Sequence, residues 1–433
     1  MRRLVIGALV IAAALAAAVS GCGTSQTAAA VAEPPVARAP RPVLPVEQLE
    51  AAEAGTRDFA VRLYQKLASK TGNLCVSPYS ISSALAMTYA GARGTTEQEM
   101  ARTLGFTVPQ EQVHATFHTL SHNLTSEAAE SNQRKADSIL LRQANALWGD
   151  TRDTFLPAYL DVLGQNYGAG LRQVDFGQAE AARKTINDWV QDQTQGKITD
   201  LITRGVLTPQ TSLVLTNALY FKARWAEEFR EANTSPAAFT LLDGTKVNVP
   251  TMHGTLQRAH YGVVDGVEAI TLPYRGERFV MTIVMPPAGK FREFEAGLTA
   301  QRLDLPDLFH DAMVPLPPPT IQLSLPKFTF TSAFSLKDTL SAMGMPNAFG
   351  PGADFSGMDG KRDLFISAVL HKAFIGVNEQ GTEAAAATAV VMQKSAAPRP
   401  PLRVNVDRPF VFLIRDGMTG TVLFLGRVLD PRG

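Results

Sequence analysis

The chain has 433 residues, 45% hydrophobic and 19% charged, the proportions of a globular protein with a large core. Its formal net charge of +1 offers no broad field for capturing nucleic acid, and two cysteines exclude a disulfide framework or a cysteine-rich zinc site. Seven histidines include no His-Glu-x-x-His pattern, and no Gly-x-Ser-x-Gly elbow or other His/Asp/Ser set points to a catalyst.

The N-terminus reads as an export signal. Arg2 and Arg3 precede an apolar run over 4–19, which is short for a membrane span. The run ends in Val19-Ser20-Gly21-Cys22, which resembles a bacterial lipobox. That resemblance implies removal of residues 1–21 and lipidation of Cys22 with a palmitate-type chain, anchoring the protein to the membrane on the exported side. A plain secretory signal with an incidental cysteine is the alternative, and it leaves the protein secreted. Residues 22–47 are rich in Ala, Pro, Ser and Thr and read as a flexible tether. A folded domain is expected over 48–433. Cys75, alone within it, reads as a buried small apolar residue.

Residues 49–67 have helical apolar spacing through Phe59, Val61, Leu63, Tyr64 and Leu67. Residues 73–79 read as a short buried strand and turn. Ser77-Pro78 opens the next helix, with Ser77 as N-cap and Pro78 in the first position. That helix, over 80–89, is apolar and small, as a buried helix would be. Thr95 or Thr96 is expected to cap a further helix. Residues 138–147 read as one strand, and Val174-Asp175-Phe176 precedes a helix that stops near Gly196. Strands are expected over 213–222, 279–285, 321–330 and 421–428, with a helix over 336–343, and 365–377 leads into the stretch that follows it. Mixed runs of strands and helices argue for an α+β domain.

The stretch from Glu379 to Ala397 is unusual. It contains no proline, four consecutive alanines and no large apolar residue at helical spacing to pin such a helix to a core. As a strand it would put Thr382, Ala384, Ala386 and Thr388 on one face, and Glu383, Ala385, Ala387 and Ala389 on the other. Such a segment can be an exposed loop in one state and a strand inside a sheet in another, since it lacks bulk and every residue keeps its N–H donor. A low-complexity alanine linker is the plain alternative.

Glu379-Gln380-Gly381-Thr382-Glu383-Ala384-Ala385-Ala386-Ala387-Thr388 resembles the hinge of an inhibitory serpin's reactive-centre loop. Asp407-Arg408-Pro409-Phe410-Val411-Phe412-Leu413-Ile414 resembles the family signature that follows that loop. The blocks over 73–106, 144–148, 186–190 and 213–222 are also similar to serpin blocks, in serpin order. The resemblance covers about 48–431. It implies a single α+β domain with three β-sheets, about nine helices and an exposed loop at about 379–404.

The resemblance further implies a suicide inhibitor of serine-type proteases, or of a cysteine protease. The partner cuts the loop and is trapped as an acyl-enzyme when the loop enters the main sheet. A distorted protease cannot deacylate, because its triad and oxyanion hole need close geometry. Loop insertion in this family releases strain stored in the uncut fold. Counting from Glu379 places the cut at Ser395–Ala396, with Lys394–Ser395 as second choice. Gly381 would be the pivot and Thr382 the first residue to enter. Ser77, Ser80, Asn217 and His371 match the positions that gate sheet opening (the shutter), and Trp225 matches a tryptophan where the hinge enters (the breach). Taken alone, His371 reads as a satisfied structural histidine and Trp225 as a core aromatic. No enzymatic activity, cofactor, metal or nucleic-acid partner is expected, and the chain is expected to be a monomer. A non-inhibitory binding protein on the same fold is the alternative. Bulky, charged or proline residues in the hinge would favour it, and the sequence has none from Ala384 to Thr388.

Overall fold

The computed structural model describes residues 30–31, 38–133, 139–168, 170–303, 320–382 and 400–433, with the backbone alone at 30–31 and 126–133. These residues form three sheets of eight, six and four strands and ten α-helical segments, against about nine expected.

The first long helix, α1 (Val46–Leu67), buries Phe59, Val61, Leu63, Tyr64 and Leu67, the predicted stripe. A short strand, β2 (Leu74–Val76), leads to α2 (Pro78–Tyr89). Ser77 caps α2 by accepting from the Ser80 N–H, and every residue of α2 is buried. A helix apolar on all sides belongs inside a core. It packs between the eight-stranded sheet and the six-stranded one, touching a strand of each. The next helix, α3 (Gly94–Leu104), starts without a side-chain cap at Arg93. Thr96 does not cap it. Its hydroxyl accepts from the Asp354 N–H at 2.9 Å, so a tertiary contact takes the group that was expected to satisfy the helix end.

Helix α4 (Gln110–Gln133) packs on α5 (Pro157–Tyr167). The described end of the expected tether, 38–45, lies against both. Ala39 N–H donates to the Gln165 carbonyl at 3.2 Å, and Arg41 donates to Asn123 Oδ1 at 2.9 Å.

The eight-stranded sheet contains β3 (Leu140–Gln143), β4 (Ala146–Asp150), β5 (Arg172–Val174), β6 (Leu213–Arg224), β13 (Phe328–Ser335), β14 (Ile366–Asn378) and β15 (Gly381–Thr382), with β1 (Ala30–Val31) at one edge. The single strand expected over 138–147 is two strands, β3 and β4, broken at Ala144-Asn145. Likewise the strand expected over 321–330 divides at Lys327. Its first half, β12 (Ile321–Pro326), joins the four-stranded sheet, and its second half, β13, joins the large one. Helix α6 (Ala179–Gln193) covers one face of the large sheet over a second core around Trp148, Phe176, Ile186 and Val190. The six-stranded sheet is centred on β17 (Phe410–Asp416), whose seven residues are all buried. Cys75 is buried in β2. No helix among the described residues is long and apolar enough to cross a membrane.

Candidate functional site

Strands β6 and β14 pair in parallel from Leu213/Ile366 up to Leu219/Ala373, and the pairing ends there. Above that point β15 sits between them, antiparallel to both. Thr382 pairs with Ala223 on one side and Val377 on the other, and Gly381 pairs with Arg224 and Asn378. The large sheet is therefore a closed seam below and a fork above, with Gly381 and Thr382 of the hinge in the mouth of the fork.

The turn into β15 is tightly held. Asn378 Oδ1 accepts from the Gln380 and Gly381 N–H groups. Gly381 has φ +152°, and a Cβ there would lie 2.0 Å from the Ala223 carbonyl oxygen, so only glycine fits. Trp225 brackets the turn from β6. Its backbone N–H donates to the Gln380 carbonyl at 2.9 Å and its indole N–H to the Asn378 carbonyl at 3.0 Å. The indole stacks on Tyr274 at 4.6 Å between centroids and 9° between planes. The Tyr274 hydroxyl meets the Thr382 hydroxyl at 2.6 Å, both side chains being buried. Burial pushes the Tyr274 phenol well above its usual range, so it stays a neutral hydrogen-bonding group.

Glu379 is 5% exposed. It accepts from Thr234 Oγ1 at 2.7 Å and pairs with Lys327 Nζ at 2.9 Å. Burial works to raise its carboxyl; the Lys327 and Thr234 bonds more than reverse that and hold it below the usual carboxylate range. The break that separates β12 from β13 is what places Lys327 here.

Ser77, Ser80, Asn217 and His371 converge at the closed seam, where His371 and Asn217 are direct register partners. Ser77 N–H donates to His371 Nε2 at 3.1 Å. The proton must then sit on Nδ1, which donates to Asn217 Oδ1. The Asn217 amide donates to Ser80 Oγ and to Asn145 Oδ1, each at 2.7 Å, and Ser80 Oγ donates to Asn145 Oδ1 at 2.8 Å. Burial lowers the His371 pKa to about 3, so the ring is neutral at ordinary pH. The network joins α2, the break between β3 and β4, β6 and β14. Its hydrogen bonds tie these elements together.

The family model described as Serpin (serine protease inhibitor) matches residues 54–431. The chain belongs to the serpin family. It is 38% identical to the human leukocyte elastase inhibitor over 399 residues, covering 89% of this chain and 100% of that protein. An uncharacterized serpin-like protein of Thermococcus kodakarensis is 39% identical over 378 residues, 86% of this chain and 84% of that one. Among solved structures, the thermophilic serpin Tengpin in its native state superposes with TM-score 0.79 at 27% identity, over 93% of this chain and 100% of that one. Serpin48 of Tenebrio molitor gives 0.76 at 30% identity, over 90% and 100%. This serpin is therefore a protein of the protease-inhibitor class and not a catalyst.

The remaining residues singled out in the sequence, Glu383 to Thr388 of the hinge, Lys394, Ser395 and Ala396 at the expected cut, and Cys22, lie outside the described residues. Four residues of the site were missed: Asn145, Thr234, Tyr274 and Lys327. Asn145 had a signal, an amide set between two alanines near the end of the expected strand. Lys327 had one too, a charge following Pro326 in the middle of an alternating run. Nothing local marks Thr234 or Tyr274.

Proposed function

We propose that this serpin is a suicide inhibitor that traps serine-type proteases as acyl-enzymes by inserting its cleaved loop between β6 and β14. The observation that carries this is the fork above Leu219 and Ala373, with Gly381 and Thr382 already paired on both sides. Extending that register, Ala384 would pair with Phe221 and Ala386 with Leu219, where the closed seam begins. Thr388 would arrive between Asn217 and His371, so the last hinge residue meets the gate. The strand would continue to about Met392, the end of the seam at Leu213. Roughly a dozen residues at about 3.3 Å each would carry the attached protease about 40 Å along the sheet. Ser395, and Lys394 as second choice for the residue before the cut, would emerge just past the far end. Small side chains from Ala384 to Ala387 oppose nothing on the way in.

The trapped protease would be strained against the end of the serpin, and its oxyanion hole and triad would lose the alignment that deacylation needs. A serine-type protease is the expected partner, with a cysteine protease as a further target class. The leader Arg2 to Cys22 supports lipid anchoring at Cys22 on the exported side of a membrane, with secretion as the alternative. The structure of thyroxine-binding globulin with thyroxine superposes at TM-score 0.74 and 30% identity. That neighbour favours a second reading, a ligand-binding protein without inhibition, and one experiment separates the two. Mixed with a panel of serine proteases, the purified domain should give a covalent adduct that survives denaturant. Clean loop cleavage with full recovery of protease activity would overturn the inhibitor reading in favour of the second. Mass spectrometry of the adduct would locate the cut.

A further inference from the structure

A cavity of about 420 Å³ lies away from the fork, walled by α4, α5, α6 and the ends of β3 and β5. Three guanidinium groups line it, those of Arg38, Arg142 and Arg172, and no carboxylate among the described residues does. None of the three is paired with an acid among the described residues. Arg172 lies over the Trp189 ring, 4.7 Å from its centroid. Arg38 donates to the His118 and Asn166 carbonyls, which fix its direction. Its Nε and the Gln143 Nε2 are shut from solvent without a well-aligned acceptor among the described residues. Burial lowers the pKa of both Arg38 and Arg172, the mark of cationic groups with no counter-charge nearby.

Half-buried cations without anions, such as Arg38 and Arg172, are costly, and Arg38 Nε and Gln143 Nε2 are left without a well-aligned acceptor among the described residues. An anion brought from solution would remove that cost. Guanidinium forks suit phosphate oxygens, and a cavity of this size lies in the range that small ligands fill. The Trp189 wall adds a flat apolar surface.

We propose that this cavity is a binding site for a compact, multiply charged organic phosphate. The site reaches the seam through Asn145. That residue lines the cavity and also accepts from Ser80 and Asn217 in the network that holds β6 to β14. Occupancy would therefore bias sheet opening, a consequence that rests on the inhibitor reading; the site itself does not.

The test is calorimetric titration of the full domain with inorganic pyrophosphate at low salt. One equivalent should bind saturably. Arg172→Gln and Arg38→Gln should each weaken binding by about tenfold or more, the scale of one lost charge-assisted contact. Arg142→Gln, at an exposed position, should weaken binding without risk to folding. Arg258→Gln, on the surface and paired with Glu277, should leave it unchanged. Pyrophosphate displaced by phosphatidylglycerol vesicles would identify a lipid headgroup as the source, and indifference to vesicles a soluble phosphate. No saturable heat, or unchanged affinity in all three cavity variants, would overturn the site. Covalent adducts that still form under that outcome would leave the inhibitor reading standing.

Discussion

The hydroxyls of Tyr274 and Thr382 stand 2.6 Å apart, and the Tyr274 ring stacks on Trp225, which ties Thr382 of the hinge to a strand end 108 positions earlier. This contact holds Thr382 in the mouth of the fork. Replacing Thr382 with Arg would bury an unpaired charge between β6 and β14, where burial of an isolated ion is prohibitive. The variant should become a substrate. Its inhibition stoichiometry should rise about tenfold or more, a difference of about 1.4 kcal/mol or greater in the partition between trapping and release. Unaltered stoichiometry in a titration against active protease would contradict the hinge assignment. Tyr274→Phe is the milder counterpart, leaving one buried hydroxyl unpaired at a cost of about 1–3 kcal/mol.

Gly381→Ala should act on the resting state. The added Cβ meets the Ala223 carbonyl, and the backbone angle there is one that alanine adopts only under strain. The hinge should withdraw from the fork, and uptake of a synthetic peptide copying 381–392 should quicken. Wild-type uptake kinetics in this variant, followed by native gel, would show that Gly381 has no such part.

Histidine burial predicts a pH dependence. The folded pKa of His371 is about 3 and that of His114 about 4, each set mainly by burial and each below the unfolded value of 6.5. The unfolded chain therefore takes up protons near pH 6.5 that the folded chain refuses. The stability each contributes is complete above pH 6.5 and is lost as pH falls toward those lower values. Between pH 6.5 and 5, before the carboxylates titrate, stability should fall with a limiting slope of about 1.4 kcal/mol per pH unit for each histidine. His371→Gln should remove one such contribution. A pH slope of stability, measured by urea denaturation, that is identical in wild type and variant would count against a neutral His371 in the closed seam.

Much of this was readable beforehand because it is local. The Ser77 cap and Pro78 at the first turn of α2 follow from two adjacent residues, and the stripe of α1 from spacing alone. Gly381 stands out in the sequence, and the turn into β15 requires a glycine there. Other features had no local trace. Thr96 was free to serve a loop 258 residues away instead of its own helix. The fork depends on register between β6 and β14, whose partners Asn217 and His371 are 154 residues apart, and register is a property of the pair. Tyr274 and Thr234 look like ordinary strand-end residues until the hinge is laid beside them. The arginine cavity draws its charges from the tether end, β3 and β5, so no stretch of sequence displays it as a basic cluster.

The most direct test compares the melting of intact protein with that of protein nicked within 383–399, by scanning calorimetry. Insertion of about ten further residues, at about 1 kcal/mol of net pairing each, should raise the melting temperature of the nicked form by about 12 °C. A nicked form that melts at or below the intact temperature would contradict loop insertion, and with it the proposed inhibitory mechanism.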